Sequence, residues 1–178
     1  MSWLAEFIFF KLMKWKLIGE FSKLKKYVVI VAPHTSWHDF FLGLATRKHS
    51  KTNIEYVGKK ELFDSPLGWY FKSTGGQPID RSKSNNKVDS IVSIFNEKEN
   101  FKLAMAPEGT RKKVDKWKTG FYYIAKKANI PIVMVSFDYK KKEVKISDVF
   151  YPTDNMESDF TYMYQFYKDV IGKKPNYT

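Results

Sequence analysis

Residues 27–39 read Tyr27-Val28-Val29-Ile30-Val31-Ala32-Pro33-His34-Thr35-Ser36-Trp37-His38-Asp39. The first six are apolar and mostly β-branched, with no helical period, which is the composition of a strand buried on both faces. Turn-forming and polar residues follow at once, and a helical stretch is expected over 37–48. The same alternation continues along the chain. Short apolar runs at 54–57, 101–106, 132–137 and 143–146 read as strands, and 87–96 and 119–128 read as helices. Strands alternating with helices predict an α/β fold: one domain with a mixed, mostly parallel sheet flanked by helices. No repeat or low-complexity tract interrupts it. The polar stretch 81–86 reads as a loop within the domain, and the tail at 173–178 is expected to fray.

The chain has 178 residues, 43% of them apolar, enough for one core of fair size. Lys and Arg number 31 against 19 Asp and Glu, a net charge of +12. That excess suits anionic partners: nucleic acid, lipid head groups, phosphorylated substrates or acidic carrier proteins. There is no cysteine, so disulfides, thiolate metal sites and a thiol nucleophile are excluded together. The histidines His34, His38 and His49 form no metal-ligand spacing with nearby carboxylates.

Aromatic residues make up 17% of the chain and crowd its start, at Trp3, Phe7, Phe9, Phe10 and Trp15. Glu6, Lys11, Lys14 and Lys16 interrupt the apolar residues, so the stretch falls short of the ~20 apolar residues of a spanning helix. Positive charge follows the apolar run and no small-residue cleavage site is present, which argues against a signal peptide. The segment therefore reads as a helix that either joins the core or lies in a membrane interface, with aromatics at head-group depth and lysines reaching for phosphates.

In an open α/β sheet, ligands bind beyond the carboxyl ends of the strands. After the first strand comes His34, a candidate general base, since an imidazole near neutral pH can take a hydroxyl proton. Asp39 is spaced to orient it. Ser36 and Asp39 also fit a helix-capping pair with no catalytic meaning. After the strand at 101–106 come Glu108, Gly109, Thr110 and Arg111: a glycine permitting close backbone approach, a hydroxyl, and a guanidinium fork matched to phosphate. Read alone, this is equally a turn with a surface arginine. Gly76 to Arg81 offers a second arginine after a glycine pair, and Ile130-Pro131-Ile132-Val133 leads into an apolar strand.

In this order the four blocks resemble the glycerolphosphate and lysophosphatidate acyltransferase family. His34 to Asp39 matches its histidine-four residues-aspartate motif and Glu108 to Arg111 its Glu-Gly-Thr-Arg motif. The resemblance implies that His34, partnered by Asp39, is the base on an acceptor hydroxyl that attacks an acyl thioester, with no acyl-enzyme. It implies that Arg81, Glu108, Gly109, Thr110 and Arg111 hold the acceptor's phosphate and polar head. The donor would be acyl-CoA or acyl carrier protein, the acceptor lysophosphatidate or another lysolipid, and no cofactor beyond the donor is required. It further implies peripheral placement on the cytoplasmic face of the cell membrane, against anionic lipids, with residues 1–20 as a docking helix and 21–178 as the acyltransferase domain. Trp3, Phe7, Phe10, Lys11, Lys14 and Trp15 are the expected docking contacts. A nucleic-acid-binding domain would suit the charge but leaves the His34 and Glu108 blocks unexplained, and an inactive lipid-binding relative would be expected to have lost the base or its carboxylate.

Overall fold

The computed structural model describes residues 2–79 and 87–178. The chain opens with α1 (Ser2–Glu6), which widens into a π-helical turn over Phe7–Leu12. Then follow β1 (Lys16–Ile18), β2 (Lys26–Ala32), α2 (His38–His49), β3 (Glu55–Lys59), α3 (Lys60–Phe63), α4 (Gly68–Ser73) and β4 (Gly76–Ile79). The second half runs α5 (Lys87–Glu97), β5 (Phe101–Met105), α6 (Gly120–Lys127), β6 (Ile132–Asp138), β7 (Glu143–Phe150) and α7 (Met156–Phe166).

The seven strands form one sheet in the order β1-β7-β6-β2-β5-β3-β4. Strands β6, β2, β5, β3 and β4 are mutually parallel, and β7 returns antiparallel beside β6 with β1 parallel to it. Strand β2 is paired on both edges by β6 and β5, and helices pack on each side of the sheet, so both of its faces are covered. Its residues alternate between two cores. Val28 and Ile30 join Leu103, Ile132 and Met134 under Phe95, Phe121 and Tyr122 from α5 and α6. Tyr27 and Val29 join Val133, Val135, Val144 and Ile146 under Leu42 and Ala45 of α2 and Ala5 and Phe9 of the N-terminal helix. An unbroken apolar strand is what two-sided burial requires.

The N-terminal segment departs from a single docking helix over 1–20. The helix ends at Leu12, and Lys14 turns the chain with φ 57°. Lys16–Ile18 then pairs with Glu143–Lys145 as an edge strand of the sheet. Trp15 is consequently a core residue: only 4% exposed, with its ring edge-on to Phe9 and Tyr139. The tail also differs from expectation. Residues 175–177 form a 3-10 turn, the Gly172 amide donates to Thr178 Oγ1, and the Lys174 amide donates to Thr35 Oγ1. These two hydrogen bonds from backbone amides to threonine hydroxyls hold the terminus in place. Helix α7 was not legible as an amphipathic run; the Asn155 side chain caps it by accepting from the Ser158 amide.

Candidate active site

Parallel pairing of β2 with β5 brings the turn after Ala32 beside the turn after Met105, at the shared carboxyl edge. The His34 and Glu108 blocks therefore meet, although 74 residues separate them: the His34 amide donates to Glu108 Oε2 at 2.9 Å.

Asp39 lies in the first turn of α2, is 3% exposed, and has every side of its carboxylate engaged. Oδ2 accepts from the amides of Thr35 and Ser36 at 2.9 and 2.8 Å and lies 3.1 Å from His34 Nδ1. Oδ1 accepts from the Tyr139 hydroxyl at 2.8 Å. Ser36 Oγ in turn accepts from the His38 amide at 3.3 Å. The helix cap and the histidine partner are thus one group of atoms: the carboxylate that orders the loop also holds the imidazole. This network assigns the proton to Nδ1, leaving the Nε2 lone pair toward the open edge. Arg111 Nε points at Nε2 from 3.5 Å. His34 keeps a side chain 24% exposed, so its free nitrogen can be reached.

Glu108 sits deeper. Burial raises its carboxyl from an ordinary 4.5 to about 7, and the nearby Asp39 charge adds to this, while the His34 amide and imidazole pull the other way. Gly109 has φ 66°, the left-handed region that glycine occupies without strain. Thr110 and Arg111 are exposed at the mouth of the turn.

Arg81 lies outside the described residues; β4, which precedes it, ends on the same edge. The block at Ile130 to Val133 starts β6 at the opposite end of the sheet, where Pro131 O accepts from the Val28 amide, and its role there is packing. His38 stacks beside Trp37 with Nδ1 2.9 Å from Ser36 Oγ, away from the base position. His49 lies flat on Phe10 with Nδ1 3.2 Å from Glu6 Oε1, joining the N-terminal helix to α2. Of the expected docking residues, Trp3 is 67% exposed, Phe7, Lys11 and Lys14 are also exposed, and Phe10 is half-buried.

Sequence reasoning missed Tyr139 and Gly172. Tyr139 lies a hundred residues from Asp39 and no local pattern links them. Burial and the Asp39 charge push its hydroxyl well above the ordinary tyrosine range, so it stays a donor. Gly172 backs onto Thr35 so closely that an added Cβ would lie 2.7 Å from its Cγ2.

The sequence pattern described as Acyltransferase matches residues 15–138. The chain is 30% identical over 148 residues to the 1-acyl-sn-glycerol-3-phosphate acyltransferase of Saccharomyces cerevisiae, covering 75% of this chain and 48% of that protein. It is 32% identical over 121 residues to the protein of the same name from Cocos nucifera, covering 65% and 38%. It therefore spans about half the length, or less, of the curated relatives it matches. In fold it is similar to the crystal structure of the 1-acyl-sn-glycerophosphate acyltransferase PlsC from Thermotoga maritima, with a TM-score of 0.63 and 20% identity, covering 93% of this chain and 76% of that one. With the family pattern running through the two blocks that meet at the sheet edge, this chain belongs to the lysophosphatidate acyltransferase family.

Proposed function

We propose that the protein transfers a fatty acyl group from a thioester, acyl-CoA or acyl carrier protein, to the hydroxyl of a lysophosphatidate-like acceptor. The observation that carries this reading is the pairing of His34 Nδ1 with buried Asp39 at 3.1 Å while Nε2 faces the open edge. As the acceptor oxygen attacks the thioester carbonyl, its proton passes to Nε2, and the imidazolium that forms is held by the Asp39 carboxylate. The C–O bond forms, the C–S bond breaks, and the proton leaves with the thiolate. Because the acceptor itself is the nucleophile, no acyl-enzyme arises.

Glu108 fixes the backbone of His34, and the guanidinium of Arg111 is placed to leave Nε2 for the acceptor's phosphate, which it can bind bidentately. Arg81, beyond β4, is assigned to the same phosphate. The reaction draws on no group beyond the donor.

The lipid acceptor places the enzyme at a membrane surface, for which Trp3, Phe7, Lys11 and Lys14 form the docking contacts on anionic lipids. Among the described residues, no helix is long and apolar enough to cross a membrane, and we assign peripheral attachment at the cytoplasmic face. Incubation of the purified protein with labelled palmitoyl-CoA or palmitoyl carrier protein and a panel of lysolipids tests the reading. Label in phosphatidate is the expected product; no labelled lipid with either donor would remove it.

A further inference from the structure

The loop after the Glu-Gly-Thr-Arg turn carries Lys112, Lys113, Lys116 and Lys118. Two of the lysines are tied back to the turn, Lys112 through its amide to Thr110 Oγ1 at 3.3 Å and Lys118 by a longer return. The Lys118 amide donates to Pro107 O at 2.9 Å, closing the loop on itself one residue before Glu108. Its neighbour Trp117 anchors the loop from the other side, with its ring 4.6 Å from Tyr164 and 5.2 Å from Tyr167. From this pinned backbone the side chain of Lys118, though exposed to solvent, runs across Gly109. A Cβ on that glycine would meet Lys118 Cε at 2.8 Å and both Cδ and Nζ at 2.9 Å. The ammonium thus rests on the glycine between Glu108, which holds His34, and Arg111, which points at Nε2.

We propose that Lys118 is a further cation for the acceptor's phosphate, lying on the Gly109 turn beside Arg111 and added to the arginines assigned above; this rests on the transfer reaction proposed above. Among the described residues no carboxylate forms an ion pair with Lys118. The two cations have complementary chemistry. Arg111 offers a planar fork that fixes the orientation of a phosphate, whereas an ammonium is a compact charge that accepts any lone-pair direction. Gly109 then has two reasons to be glycine, its positive φ and the lysine lying against its α-carbon.

The shared chemistry is a phosphate, which could belong to the acceptor or to the donor's thiol carrier, and steady-state kinetics separate the two. Lys118→Gln, Lys118→Arg and, as a control on the same loop, Lys113→Gln are assayed with a short-chain lysophosphatidate kept below its micelle concentration, so that surface binding does not enter. Loss of a charge-assisted contact predicts an acceptor KM about tenfold higher in Lys118→Gln. The predicted kcat stays within about twofold, the donor KM is unchanged, Lys118→Arg is closer to wild type, and Lys113→Gln is without effect. An unchanged acceptor KM in Lys118→Gln, or a rise confined to the donor KM, overturns the assignment while leaving the transfer reaction intact. A wild-type protein that acylates no lysolipid removes both.

Discussion

Tyr139 and Asp39, a hundred residues apart, share a 2.8 Å hydrogen bond on the carboxylate oxygen that His34 does not use. Tyr139 also meets the buried Trp15 edge-on at 4.9 Å, so the start of the chain is packed against the residue that orders the histidine partner. Removing only the hydroxyl, in Tyr139→Phe, frees one oxygen of a carboxylate that remains anchored by the Thr35 and Ser36 amides. The expected result is a kcat lowered about three- to tenfold with the acceptor KM unchanged, and a stability loss of about 1 kcal/mol. Paired turnover and urea-denaturation measurements check both; a raised KM with normal kcat would place Tyr139 in binding instead.

Glu108 makes stability depend on pH. Its carboxyl holds a proton to about pH 7 in the folded protein but titrates near 4.5 when unfolded. Between those values the native state binds more protons, so this residue's contribution is fully present below pH 4.5 and is lost as the pH rises through 7. Glu108→Gln keeps an oxygen for the His34 amide and cannot ionise. Its unfolding free energy should vary less than wild type's between pH 4.5 and 7 and exceed it at pH 8, by on the order of 2 kcal/mol. Parallel pH slopes for the two proteins in denaturant titrations would contradict this.

The N-terminal aromatics divide by burial into two experiments. Trp15→Ala empties a core site and should cost about 3–5 kcal/mol of stability. Replacing the exposed Trp3 and Phe7 together by Ala should leave the denaturation midpoint nearly unchanged and reduce co-sedimentation with anionic vesicles severalfold. Vesicle binding equal to wild type would refute the docking role given to those two residues.

The reach of the sequence follows from how local each signal is. The strand at 27–32 was legible because burial on both faces leaves an unbroken apolar run, and the helices at α2, α5 and α6 because each is flanked by such runs. The His34 and Asp39 pairing was legible because four intervening residues suffice to fold a loop back on a helix start. Trp15 was misplaced because the sequence of a core aromatic and that of an interfacial one are the same beside lysines; only the pairing of Lys16–Ile18 with β7, 127 residues on, decides between them. Gly172 and Tyr139 were invisible for the same reason, since each matters through a contact with the His34 loop from far along the chain. The tail residues read as polar and loose, yet two hydrogen bonds from backbone amides to threonine hydroxyls tie them to the fold.

The most direct test of the account is the turnover number of His34→Ala for transfer of labelled palmitoyl to lysophosphatidate, measured beside wild type with a circular-dichroism check that the variant is folded. Loss of the base predicts a fall of about 10²- to 10⁴-fold in kcat with vesicle binding intact. A folded His34→Ala protein turning over at the wild-type rate would contradict the proposed chemistry.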